Sequence, residues 1–351
     1  MSLKIAYLRG RPDGHPIHNA YAQAIGATFH FIDEAKRYHD QALPAWQRYY
    51  RWWVNAWRFP WEAYDGLLIE GPHIWPPLMG KLKRKPVWSL IDEQTLYFLY
   101  DGYYKPSTRK ALLYALRHYT GFLVIGEMLA SLAKQLLGAA CPPVYVGFNG
   151  VEEKRLERLA AVQPQLEQPM IVLVAHGEEG WRVHYKGLDL FVETIWRLQR
   201  ELPTVQGLIV GRWKESVQTA LLSRYPGVQV AFLGPVSAIE AVFAQAGLYF
   251  HPARGEAWGI AVQEAMAAGL PALVSEWTGA QEVVRQVWPE GIIPLSAEKA
   301  AEKILSYFAL PLSQKKALSE KGRTLILSSY TRTHAVERFK RIFAEATAPF
   351  L

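Results

Sequence analysis

The chain has one cysteine, Cys141, in 351 residues. No intrachain disulfide is available, which excludes a disulfide-stapled secreted scaffold. No apolar run reaches the ~18 residues that a spanning helix requires. Met1 to Leu8 has too short an apolar part for a secretory signal and reads as a first strand. These features fit a reducing, cytoplasmic setting. Asp-x-Asp occurs nowhere, and no His/Cys group has metal-ligand spacing. No metal requirement is expected. There is no defensible Ser/His/Asp or Cys/His arrangement for nucleophilic catalysis, and His73, after a strand, reads as structural. No low-complexity segment occurs.

What is present is an ordinary globular composition, 50% hydrophobic and 20% charged. The length allows two domains with ample cores. The net charge of +7 is uneven. Residues 1–160 carry 20 Lys and Arg against 14 Asp and Glu, and the remainder 19 against 18. A basic first half suits an anionic partner: a lipid surface, nucleic acid or a phosphorylated substrate.

Along the chain, strand and helix patterns alternate, which calls for parallel, doubly wound sheets. Leu8 to His15 is a Gly/Pro/Asp loop after the first strand, and Gly14 reads on its own as part of a plain turn. Residues 46–61 hold five of the thirteen tryptophans. At helical spacing Trp46, Tyr49, Tyr50, Trp53 and Trp57 share a stripe opposite Arg48, Arg51, Asn55 and Arg58, and Pro60 ends the helix. Two readings are open: the stripe is core, or it docks on an anionic membrane surface. Lys81 to Lys85 is a solvated basic run, and residues 108–119 form a second basic amphipathic helix. The charged stretch 152–169, ending in Pro164 and Pro169, reads as a linker. The strand–helix pattern restarts at Met170.

The richest stretch runs from His251 to Pro271. A short strand, 248–250, leads into a loop bracketed by Gly255 and Gly259, whose N–H groups suit a ligand. A helix of good formers follows and stops at Gly269 and Pro271. Glu256 lies in the loop and Glu264 eight positions on, about one turn into an apolar helix, where a buried carboxylate needs a partner. That partner is either a structural Arg or a ligand. Lys186-Gly187 opens another helix after a strand, a ready diphosphate site, and Arg212 follows a further strand.

The Gly-Glu, Trp-Gly, Glu-Ala-Met-Ala and Gly-x-Pro elements of this stretch resemble the Glu-x7-Glu segment of retaining glycosyltransferases of family 4 over about twenty residues. Lys186-Gly-Leu-Asp189 and Asn149-Gly-Val-Glu152 resemble the same family. The resemblance implies the GT-B fold: two facing Rossmann-like domains, with a cleft between them. The domains would span 1–163, on the acceptor side, and 164–330, on the nucleotide-sugar side. A closing helix, 331–351, would return to the first domain. It further implies Glu256 on the donor sugar, Glu264 on the ribose hydroxyls, and Lys186 on the pyrophosphate with Arg182 upstream. Gly14, Arg212, Gly255, Ala257, Trp258 and Gly259 would line the nucleotide sugar.

Where the family often has a histidine near the reacting carbon, this chain has Leu90-Ile91-Asp92-Glu93, making Asp92 a candidate acceptor-side base. The implied activity is metal-independent, retaining sugar transfer from a nucleotide-diphosphate donor to a glycan or lipid-linked acceptor. No cofactor is needed, and the protein would sit in the cytoplasm or at the inner face of the plasma membrane. A sugar-nucleotide epimerase or hydrolase and a non-catalytic nucleotide-sugar binder remain alternatives. The aromatic, basic stretch 46–61 has the makings of a base-stacking surface, but no nucleic-acid fold signature accompanies it, so no nucleic-acid partner is expected.

Overall fold

The computed structural model describes residues 3–9, 15–31, 57–71 and 84–351, with positions 44, 46, 47, 50, 54 and 80. The chain forms two compact units, residues 1–148 with 335–351, and residues 149–334. Each is built on a six-stranded parallel sheet.

In the first unit the strands are β1 (Ile5–Arg9), β2 (Thr28–Phe31), β3 (Gly66–Glu70), β4 (Val87–Ile91), β5 (Gly121–Ile125) and β6 (Val144–Gly147), in the order β2-β1-β3-β4-β5-β6. In the second they are β7 (Met170–Val174), β8 (Gln206–Val210), β9 (Val230–Gly234), β10 (Leu248–His251), β11 (Ala272–Ser275) and β12 (Ile292–Ile293), in the order β12-β11-β10-β7-β8-β9. Central strands such as Gly121–Ile125 and Leu248–His251 are buried along their whole length. Their uninterrupted apolar runs are what a strand covered on both faces requires. The order in which strands are added reverses between β1 and β3 in the first sheet and between β7 and β10 in the second. Those are the places where a doubly wound sheet opens a crevice at its carboxyl edge.

Trp88 shows how one residue organises the first core. It lies fully buried on β4, in register with Gly121. A Cβ on Gly66 would come within 2.7 Å of its ring, and one on Gly121 within 3.3 Å. The flanking glycines therefore make room for the indole. Beyond it stand Phe343 and Phe350, at 5.6 and 5.5 Å between ring centroids. The helix Arg332–Thr347 buries Ala335, Phe339, Ile342, Phe343 and Ala346, one apolar stripe at helical spacing. Phe339 stacks on Tyr21 at 4.4 Å, and Arg338 donates to the Val146 carbonyl at 3.1 Å. From Ala335 onward the closing helix is thus part of the first unit.

The stretch expected as a linker is different in the structure. Glu153–Ala160 is a helix with Leu156 and Leu159 buried, and it belongs to the second unit. The boundary falls after Phe148 rather than at 163/164. Two leucines three apart give a narrow apolar stripe, which the surrounding charges mask in a compositional reading. Short helices at Thr95–Tyr100, Glu127–Leu137 and Trp181–Tyr185 also went unforeseen.

Of the aromatic segment 46–61, positions 46, 47, 50, 54, 57 and 58 are described and helical. Trp46, Tyr50 and Trp57 are 68%, 67% and 78% exposed, so these members of the stripe are not core. Tyr49, Trp53, Arg48, Arg51 and Asn55 lie outside the described residues, as do Gly14 and His73.

Phe339 is 1% exposed in the first core. Phe339→Ala should cost ~3–5 kcal/mol, read as a lower urea midpoint. An unchanged midpoint would show that the closing helix contributes nothing to that core.

Candidate functional site

In the second unit the site grows from the loops that follow β7 and β10, the two strands flanking the switch point. After β7 the chain makes the short helix Trp181–Tyr185, then Lys186 and Gly187, then the helix Leu188–Leu198. Gly187 has φ +68°, and a Cβ there would lie 1.9 Å from the Pro252 carbonyl oxygen. Only glycine lets the β10 loop come this near. Arg254 ties the two loops together. It makes a bidentate pair with Asp189 at 2.7 and 2.8 Å and donates to the His184 carbonyl at 2.8 Å. Gly259, at φ +95°, starts the helix Ile260–Ala267. The backbone of Glu256 is fixed to the loop after β11: its N–H donates to Trp277 at 3.1 Å, and its carbonyl accepts from Gly279 at 2.9 Å.

This framework brings the Lys186 Nζ to Glu256 Oε2 in a direct ion pair, with both side chains largely buried. The buried ring of His251 places Nε2 3.6 Å from the same oxygen. Burial by itself would raise the Glu256 carboxyl, but the Lys186 ammonium and then His251 outweigh it and hold the group well below the usual carboxylate range. Glu256 is therefore an anion, poised beside a cation at the carboxyl edge of the sheet.

Glu264 has the partner its apolar helix demands. Arg155 Nε donates to Oε1 at 2.8 Å and Nη2 to Oε2 at 3.3 Å. Arg155 comes from the helix that the sequence reading took for a linker, which is why it was missed. Each Glu264 oxygen keeps a second lone pair for another donor. Arg182 lays its guanidinium over Trp181, 5.0 Å from the ring centroid. Arg212 follows β8 and is exposed, with Nη1 3.7 Å from Glu178 on the loop after β7. Gly255 is buried, and so are the side chains of Ala257 (6% exposed) and Trp258 (2%). The carbonyl of Trp258 accepts from Ala280 at 2.7 Å. At these three positions what is left to meet a ligand is backbone. A cavity of about 460 Å³ in the same unit is lined by other residues, among them Trp288, Lys303, Tyr307 and Leu318.

The first unit carries its own polar cluster at the matching place. Glu70 ends β3, Asp92 follows β4, and His18 sits in the first turn of the helix Pro16–Ala24 behind β1. His18 meets Glu70 Oε1 through Nδ1 at 2.7 Å and Asp92 Oδ2 through Nε2 at 2.9 Å. Asp92, singled out from sequence, is therefore found with a histidine the sequence reading passed over. Its signal was the pair His15 and His18 just behind the first loop. Ligand atoms of His15, His18 and Asp92 lie within 4.8 Å of one another, the metal-compatible group among the described residues. With both His18 nitrogens already bonded to carboxylates, an ion would have to displace the Nε2 proton.

Comparisons with known proteins follow the same division. Residues 180–325 match the family model described as glycosyl transferases group 1. No curated protein matches the chain. Among solved structures it is similar to HepE of Anabaena in complex with UDP and glucose, at 15% identity and a TM-score of 0.69, covering 98% of this chain and all of that one. It is similar to WaaG, a glycosyltransferase involved in lipopolysaccharide biosynthesis, at 14% and 0.66, covering 96% and 99%. It is also similar to a sucrose-phosphate synthase from Thermosynechococcus elongatus, at 17% and 0.65, covering 88% and 81%. The fold is GT-B.

Burial opposes the charged form of His18, but Asp92 and then Glu70 outweigh it and push its pKa from 6.5 up to about 9. A folded-state value above the unfolded one stabilises fully below pH 6.5, and that stability is lost as pH rises through about 9. Raising the pKa from 6.5 to about 9 corresponds to about 3 kcal/mol. Between pH 6 and 9.5 the wild type should lose about that much more unfolding free energy than His18→Gln in urea titrations. Parallel losses in the two proteins would contradict it.

Proposed function

We propose that this protein is a retaining, metal-independent glycosyltransferase that moves a sugar from a nucleotide-diphosphate donor to a glycan or lipid-linked acceptor. The observation that carries the reading is the Lys186–Glu256 pair at the switch point of the second sheet, beside the N-termini of two helices. Those N-termini and Lys186 supply positive potential for a diphosphate. The match to group 1 glycosyl transferases covers both residues.

In this reading Lys186 takes the diphosphate and stabilises it as charge develops on the leaving group, with Arg182 and Arg212 beside it. Glu256 is released to the donor sugar, where a carboxylate steadies an oxocarbenium-like centre. Glu264, oriented by Arg155, receives the ribose hydroxyls on its remaining lone pairs. Asp92, held by His18, serves the acceptor hydroxyl. HepE is held with UDP and glucose, and a trehalose-6-phosphate synthase from E. coli with UDP-2-fluoro glucose. A UDP-sugar is therefore the first donor to try.

Thermal-shift screening against UDP, GDP, ADP and their sugar conjugates tests the donor. A ligand at a hundred times its dissociation constant should add ~2.7 kcal/mol of stability. Lys186→Ala should lower turnover more than it raises the donor KM. Glu264→Gln should cost ~1.5–3 kcal/mol in nucleotide binding by calorimetry. Stability indifferent to every nucleotide, or variants that bind and turn over like wild type, would end this reading. Donor consumed with no acceptor present would favour a hydrolase or epimerase.

The acceptor side is proposed to face an anionic membrane through residues 46–61. Support comes from the exposed Trp46, Tyr50 and Trp57 and from a first half rich in Lys and Arg. No described helix is long and apolar enough to cross a membrane, so docking would be interfacial. Replacing Arg48, Arg51 and Arg58 with Ser should weaken sedimentation with anionic vesicles at low salt and leave the melting temperature unchanged. Absence of pelleting by the wild type would point to an acceptor in solution.

A further inference from the structure

The Lys186–Glu256 pair leaves one group unexplained. His251 is 2% exposed at the end of β10, and its Nε2 has no hydrogen-bond partner among the described residues. Its other nitrogen is engaged: Nδ1 lies 3.1 Å from the Tyr249 hydroxyl, two residues back on the same face of the strand. Tyr249 is fully buried, and its ring runs nearly parallel to that of His251, 15° apart. Burial pushes the Tyr249 phenol far above its ordinary pKa, so it keeps its proton and has it to offer to Nδ1. With Nδ1 facing a hydroxyl that can donate and Nε2 facing a carboxylate, the tautomer with the hydrogen on Nε2 satisfies both contacts. The hydrogen therefore points toward a carboxylate oxygen 3.6 Å away, the same Oε2 that Lys186 holds. Closing the gap to an ordinary N–H···O length takes a shift of about 0.7 Å.

Two donors thus compete for one oxygen, and only one of them has other work. We propose that Tyr249 and His251 form a positioning pair that takes over Glu256 when Lys186 is drawn to a nucleoside diphosphate. The inference rests on the reading of Lys186 as the diphosphate residue. In the unliganded protein Lys186 neutralises Glu256. On binding, the ammonium moves to the phosphates and the carboxylate swings onto His251 Nε2–H. Glu256 stays ionised and fixed at the moment its cation leaves. Among the described residues the ring meets Tyr249 from its own strand and Glu256 from the following loop, whose Oε2 also holds Lys186 from the loop after β7.

Histidine-selective ¹⁵N labelling with NMR tests this, using UDP, GDP and ADP as probes at saturation. One ring Nε2–H signal, identified by its loss in His251→Gln, should move downfield when a diphosphate binds. The movement should be absent in Glu256→Ala. In Tyr249→Phe, which keeps the core shape, the tautomer should no longer be fixed and the signal should broaden or disappear. In turnover assays with the UDP, GDP and ADP sugars, His251→Phe should fall at least tenfold with diphosphate affinity within twofold of wild type. His251→Gln, which still offers an N–H, should recover most of the loss.

Suppose a diphosphate binds, Lys186→Ala weakens it, and the His251 signal stays still. The positioning role is then overturned while the parent reading survives. If none of the three binds, or Lys186→Ala binds them as wild type does, both fall. Equal losses of affinity and turnover in His251→Phe would mark the ring as merely structural and overturn the inference.

Discussion

An ammonium and a carboxylate held together out of water dominate the second unit. Desolvating such a pair costs several kcal/mol per ion before attraction returns any of it. The surrounding structure shows what that requires. Gly187 lets two loops touch, Arg254 and Asp189 lock them, and the backbone of Glu256 is tied to a third loop. No one element would hold either charge in place. A hydrophobic pair of the same size would be easier to fold. Retaining ions at this point is therefore more costly than folding demands, which is the pattern expected of a site that handles charge.

The first unit solves a different electrostatic problem at its own switch point. There a histidine is clasped between Glu70 and Asp92 and held as a cation. In the second unit a carboxylate is held as an anion by the Lys186 ammonium, with His251 Nε2 3.6 Å from the same oxygen. The two sheets share their architecture, and the polarity of the clasp is inverted. Both clusters lie at the carboxyl edge of their sheet, the first drawn from β3, β4 and the helix after β1, the second from β10, the loop after it and the residue before a helix cap.

Much of this was legible in the sequence, for identifiable reasons. Continuous apolar runs such as Gly121–Ile125 marked buried parallel strands, and glycine before a helix marked the loop that carries Glu256. Lys186 and Glu256, seventy residues apart, were brought together by the way both follow strands of a doubly wound sheet as well as by the resemblance. Other features were hidden by physics that has no local signature. Arg155 reaches Glu264 across 109 residues from a helix with only two buried leucines. His18 gains its meaning from carboxylates 52 and 74 residues away. Tyr249 and His251 read as two more apolar-strand residues until the alternation of the strand puts them on one face. The aromatic segment 46–61 had a period that fitted core and surface alike. Exposure at three of its positions, which periodicity does not encode, separates the two.

The closing helix has a consequence for synthesis. Its stripe covers Tyr21 and Trp88, residues made more than two hundred positions earlier. Domains generally fold as units while the chain emerges from the ribosome, N-terminal first. Here the second unit, residues 149–334, is complete while the first still lacks the helix that covers its core. An N-terminal sheet must therefore wait, with aromatic surface uncovered, until nearly the last residue described has been translated. Its most vulnerable interval to aggregation or chaperone capture falls during the manufacture of its neighbour.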